Sequence, residues 1–115
     1  MLSPDGQVLV FAAKRSDTAD SQLFVRHLNE LAATALAGTE GARNPFFSPD
    51  GAWVGFFAGG KLKKIATGGG AVVTLCEAPN GRGAAWSDDG GTIVFTPNNT
   101  PSITLLRVSS AGGKP

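Results

Sequence analysis

Three aspartates, Asp5, Asp50 and Asp89, each stand two residues after a serine and one before a glycine, in Ser3-Pro4-Asp5-Gly6, Ser48-Pro49-Asp50-Gly51 and Ser87-Asp88-Asp89-Gly90. Paired carboxylates hydrolyse glycosides when both face one sugar at a fixed separation. Here they recur because a turn recurs, and equivalent turns on successive repeats point the same way rather than towards one another. No serine has the context of a nucleophile elbow, and His27, the only histidine, has no evident partner. Cys76 is the only cysteine, which excludes an intrachain disulfide and metal ligation by cysteine pairs. A metal site would need carboxylates alone. Thr67-Gly68-Gly69-Gly70 and Gly59-Gly60-Lys61 lack the full spacing of a phosphate loop and a following helix, so both read as hairpin turns. The sequence implies no catalytic residue, no metal and no cofactor.

The turns must instead position strands. Proline presets φ at the second place of a type I turn, Asp bonds the nearby backbone, and Gly tolerates positive φ on the way out. Phe46-Phe47 before the second turn and Trp53, Val54, Phe56 and Phe57 after it suit a pleated surface. The first serines of the turns lie 45 and 39 residues apart, and residues three to five after each turn glycine are Leu9-Val10-Phe11, Val54-Gly55-Phe56 and Ile93-Val94-Phe95. Leu36 and Leu75 each precede the next turn serine by 12 residues, Arg43 and Arg82 by 5. A period of about 40 to 45 residues with four short strands is that of a β-propeller blade. About ten strands are expected: 7–13, 22–28 and 32–37; 43–48, 52–58, 61–67 and 71–76; 83–87, 92–96 and 103–109. The Ala-rich run 29–38 could support a helix, but the repeat places a strand there. Gly91 is read as lengthening the third turn into a bulge.

The SPDG turns, the apolar strand after each, and the strand ending in a Gly-Gly hairpin resemble the TolB-type, WD-repeat-like propeller repeat, also called the Pro-Asp repeat. The resemblance covers essentially the whole chain, and Asp88 departs from it by replacing the usual proline. The run RNPFFSPDGAWVGFFAGGKLKK, followed by TLCEAPNGRGAAWSDDGGTIVF, is more specifically similar to the propeller region that follows the kinase domain in some bacterial serine/threonine kinases. Such blades are binding scaffolds whose repeat motif holds no catalytic residue, so the resemblance implies no enzyme and carries over no site.

The expected fold class is therefore all-β: a propeller fragment of antiparallel four-stranded blades, with incomplete blades over residues 1–41 and 81–115 and a complete one over 42–80. A propeller typically closes with four to eight blades, and an unclosed one exposes strand edges and stacking faces. Two copies in a ring would supply about six blades, so a homo-oligomer is the expected partner arrangement, a dimer first and larger rings as the alternative.

Of the residues, 42% are apolar and 16 are glycine, which suits short strands and tight turns. A formal charge of +1 leaves no electrostatic footprint for nucleic acid. No apolar run approaches the ~18 residues of a membrane span, and nothing assigns a compartment. Lys61, Lys63 and Lys64 read as a solvated strand, with Lys64 pointing opposite to the other two. Asn98-Asn99-Thr100 matches the glycosylation sequon only in form. Loops that vary on a rigid scaffold are the default place for recognition. They comprise residues 14–20, 58–60 and 97–101, together with Arg43-Asn44 and Asn80-Gly81-Arg82. Arg43, Asn44, Asn80 and Arg82 would ring the channel mouth, where arginines could meet an acidic peptide or a carboxylate, or simply brace the next blade. The first functional reading is a scaffold for protein or ligand binding, part of a larger bacterial sensor, kinase or TolB-like protein. The alternative is the gating propeller of a prolyl-oligopeptidase-type serine peptidase.

Overall fold

In the computed structural model, residues 3–14, 21–30, 32–78, 83–96 and 106–112 are described. Ten strands form among them: β1 (Val8–Lys14), β2 (Ser21–His27), β3 (Thr34–Ala35), β4 (Arg43–Phe47), β5 (Trp53–Ala58), β6 (Lys61–Ala66), β7 (Val73–Glu77), β8 (Ala84–Trp86), β9 (Thr92–Phe95) and β10 (Leu106–Ser109). They make three antiparallel sheets in the orders β1-β2-β3, β4-β5-β6-β7 and β8-β9-β10. None of the described residues is helical, and the Ala-rich run holds β3. The chain is all-β, built from consecutive propeller blades.

Alternation along the strands decides which face each blade buries. Val10, Leu23 and Val25 of the first sheet meet Val54, Phe56 and Ile65 of the second in one core. Phe46, Phe57 and Leu62, on the opposite face of the second sheet, meet Ile93, Phe95 and Val108 of the third. The middle sheet is thus buried on both sides, and β5 is buried at every position after Trp53. Fully burying each of Phe56 and Phe57 contributes about 1.5–3 kcal/mol. Leu36 and Leu75, matched by spacing, are both buried.

Two local expectations are corrected. The third turn is not lengthened: the Thr92 N–H bonds the Ser87 hydroxyl across the same five-residue span that joins Val8 to Ser3 and Trp53 to Ser48. Gly91 takes the place of Gln7 and Ala52, so it adds no residue. An irregularity lies instead in β4, whose register against β5 shifts between Arg43 and Phe46. The first blade's last strand is also shorter than expected: the Leu36 N–H still bonds the Leu23 carbonyl at 2.9 Å, but a side chain takes the place of the return bond. The Thr39 hydroxyl accepts the Leu23 N–H at 3.0 Å and donates to the Leu36 carbonyl at 2.6 Å.

Candidate functional site: the inner-strand loop and the Ser-Asp turns

Each of the three turns is closed by one repeated set of hydrogen bonds. The serine hydroxyl donates to the aspartate Oδ1 at 2.6 Å in all three. The same oxygen accepts the N–H of Gln7, Ala52 or Gly91 at 2.9, 3.0 and 2.9 Å. The serine oxygen accepts the next N–H, and the glycine N–H bonds the serine carbonyl at 2.9 Å. Positive φ of 72°, 72° and 74° at Gly6, Gly51 and Gly90 lets the chain leave the turn. Proline is dispensable in this set, which explains why Asp88 in place of Pro4 or Pro49 changes none of it.

Asp50, Asp88 and Asp89 do share a cleft of about 250 Å³ with Pro49 and Gly90. Two of these carboxyls are tied into the turn hydrogen bonds. The Ser48 hydroxyl, then the Ala52 N–H, hold the Asp50 carboxyl below its usual pKa, and Ser87 and Gly91 do the same for Asp89. Both are pushed the same way, whereas a hydrolytic pair needs one carboxyl raised to act as acid. Among the described residues no three of His, Cys, Asp and Glu converge to hold a metal ion.

The loop between the first two blades is held more firmly than its composition suggests. Thr39 and Ala42 are fully buried, and Leu36 beside them is buried. The Ser21 hydroxyl donates to the Ala42 carbonyl at 2.8 Å, and the Gly41 N–H bonds the Ser21 carbonyl at 2.7 Å. This frame delivers the chain into β4, the inner strand of the middle blade, which touches β1 and β2 on one side and β8 on the other. Arg43 and Asn44, at its start, are both exposed. Asn44 has φ of 52°, a left-handed conformation that Asn tolerates better than most residues. It sits in the register shift of β4, so the pairing is re-aimed where the loop ends.

Asn80, Arg82 and the 15–20 and 97–101 loop residues lie outside the described residues, as does the sequon at residues 98–100. Of the four expected channel-mouth residues, the structure therefore places Arg43 and Asn44. The residues missed in the sequence are Thr39 and Ser21, whose hydroxyls fix that loop. A Thr after a Gly in a polar stretch carries no signal of burial. Elsewhere, Lys61 reaches Glu77 at 3.8 Å on the surface, and Lys64 lies over the Trp53 ring at 4.3 Å from its centroid. Cys76 is buried, and burial followed by the nearby Glu77 charge pushes its thiol pKa up, away from a reactive thiolate. His27 is exposed at the end of β2.

No protein-family model matches the chain, and no curated protein matches it. Solved structures do. A TolB from Agrobacterium tumefaciens superposes with a TM-score of 0.79 at 19% identity, over 98% of this chain and 45% of that one. TolB from Acinetobacter baumannii gives 0.72 at 16% identity, over 98% and 32%. The β-propeller domain of the trilobed protease from Pyrococcus furiosus, described as having an open velcro topology, gives 0.64 at 18% identity, over 78% and 31%. These likenesses establish the propeller fold, and this chain spans less than half of each of those chains.

Proposed function

We propose that this chain is a non-catalytic propeller scaffold that binds a protein or peptide through the loop face carrying Arg43 and Asn44, as part of a larger bacterial sensor kinase or TolB-like protein. The observation behind this reading is the contrast in the loop between the first two blades. Its backbone is fixed by buried Thr39 and by Ser21, yet it ends in two exposed polar side chains on the innermost strand. A rigid frame presenting exposed hydrogen-bonding groups loses little entropy on binding. Arginine at that place favours a carboxylate-bearing segment.

Of the two parents, the TolB-like one has the support of the two TolB structures, which match nearly all of this chain. A gating propeller is less supported, since the protease propeller matches with a lower score over a smaller share. A fluorescein-labelled, glutamate-rich decapeptide provides the test by anisotropy at low salt. Saturable binding that weakens about tenfold in Arg43→Glu, a change of about 1.4 kcal/mol, is the expected result. Equal binding by the two proteins would remove Arg43 from the site.

A further inference from the structure

The one histidine of the sequence and the start of its Thr67-Gly68-Gly69-Gly70 turn meet in a recess between the first two blades. Val25 and His27 lie two residues apart on β2 and so share a face, and Thr34 of β3 pairs with Val25. That face packs against the second blade, because Val25 shares a core with Val54, Phe56 and Ile65. The second blade brings Thr67 and Gly68, just beyond the end of β6. With Leu36 these residues line a space of about 120 Å³. At ~30 Å³ per water molecule, that is room for about four waters or one ligand of a few heavy atoms.

The repeat itself does not call for a histidine there. His27 stands opposite Val8, where the second repeat puts Ala66 opposite Trp53 and the third puts Ser109 opposite Thr92. The floor of the recess is apolar, since Val25 and Leu36 are buried, and its rim is polar, since His27, Thr34 and Gly68 are exposed. The Thr67 hydroxyl is already committed: it donates to the Gly51 carbonyl at 2.6 Å. The Gly69 N–H bonds the Ala66 carbonyl at 2.9 Å and closes the turn. By contrast, the His27 ring, the Thr34 hydroxyl and the Gly68 N–H have no hydrogen-bond partner among the described residues. Nothing lies within 4 Å of the Cβ position of Gly68, so the backbone there is open to approach.

We propose that this recess binds a small aliphatic monocarboxylate. Its short hydrocarbon tail covers Val25 and Leu36, and its two oxygens accept hydrogen bonds from the His27 imidazole, the Thr34 hydroxyl and the Gly68 N–H. Phosphate or sulfate suits the recess less well: neither arginine nor lysine lines it, and the apolar floor offers a tetrahedral anion no donor. A cation suits it least, because no carboxylate lines it. The site goes beyond the scaffold reading, and Arg43 and Asn44 take no part in it.

Butyrate titrated into the full chain and followed by nuclear magnetic resonance tests it. Because His27 is the only histidine, its ring signals need no assignment. The expected result is a saturable shift of the His27 ring protons and of the Gly68 amide at millimolar butyrate. His27→Ala, read from the Gly68 amide, should bind at least about tenfold more weakly, and Thr34→Val should also lose affinity. Both side chains are exposed and alanine fills the matching place at Ala66, so the variants should fold, which far-ultraviolet circular dichroism checks. Butylamine, with the same chain and the opposite charge, and inorganic phosphate should leave both signals in place at equal concentration. A butyrate shift that never saturates, or wild-type affinity in His27→Ala, would overturn the site. Saturation by butylamine or phosphate as readily as by butyrate would overturn the ligand class. Peptide binding through Arg43 is read with a different ligand and a different variant, so either reading can fail alone.

Discussion

The ring of Phe46 covers Gly55 so closely that a Cβ on Gly55 would lie 2.3 Å from the Phe46 Cζ. The ring also packs against Trp86 of the third sheet, with centroids 5.9 Å apart. Gly55 therefore lets the inner strand of one blade carry an aromatic bridge to the next.

Gly55→Ala forces that ring out of place. Adding Cβ in a strand would ordinarily help through chain entropy, by about 0.5–1 kcal/mol, but overpacking of a full core costs about 1–3 kcal/mol. The overpacking wins, because a ring wedged between Gly55 and Trp86 cannot retreat. Gly68→Ala is the matched control: no neighbour lies within 4 Å of its Cβ position. It should be neutral or slightly stabilising. Urea midpoints of the two variants decide; a Gly55→Ala protein as stable as wild type would mean that the Phe46 contact is loose.

The repeated turns differ in burial, and this ranks their serines. Ser48 is 3% exposed, whereas Ser87 is partly open to solvent. Ser48→Ala removes the acceptor of the Trp53 N–H and the donor to Asp50. The part-buried Trp53 N–H then loses its partner, and the less water reaches it past the buried Ser48 position, the closer the cost comes to about 1–3 kcal/mol. At Ser87 water replaces the lost bond. Ser48→Ala should therefore lower the urea midpoint clearly more than Ser87→Ala, and equal shifts would show that both turns are equally wet.

Acid weakens the same turns. Asp5, Asp50 and Asp89 all have folded pKa values below the usual 3.8, first because of the Ser3, Ser48 and Ser87 hydroxyls and then because of a backbone N–H. The fold thus favours their ionised forms. That contribution is complete above about pH 4, where the unfolded chain also ionises, and is lost as pH falls through the folded values. Stability should decline as pH falls below about 4. Replacing all three by asparagine keeps an acceptor and removes the charge, so the decline should flatten. An unchanged slope in the triple variant would assign acid sensitivity to other groups.

How far the fold was legible follows from which signals repeat. Ser3, Ser48 and Ser87 announce the period, and Leu9, Val54 and Ile93 fall in one register, so the strands could be placed from the chain alone. The Asn44 irregularity was missed because it depends on a left-handed backbone that the residue type permits without requiring. The supposed bulge at Gly91 came from reading Gly90-Gly91 as an insertion, although Gly91 fills the ordinary place of Gln7 and Ala52. At the site, Arg43 stood out through its match with Arg82. Thr39 and Ser21 did not, because their partners are backbone groups up to 21 residues away, a relationship that only the folded chain creates.

Thr39 offers the sharpest check on the loop that carries Arg43. Its hydroxyl joins the Leu23 N–H to the Leu36 carbonyl inside the core, where water does not reach. Thr39→Val keeps the shape and leaves the Leu23 N–H without that bond, at about 1–3 kcal/mol, while the Leu36 carbonyl still accepts the Gln22 side-chain amide at 3.3 Å. Thr39→Ser keeps the hydroxyl and loses only a methyl, so it should recover most of the loss. Hydrogen exchange adds a local readout: the Leu23 amide should lose protection in Thr39→Val and keep it in Thr39→Ser. If the loop frame is what presents Arg43, peptide binding should weaken in Thr39→Val while remaining near wild type in Thr39→Ser. Equal binding by the two variants would mean that the loop holds its shape without the buried hydroxyl.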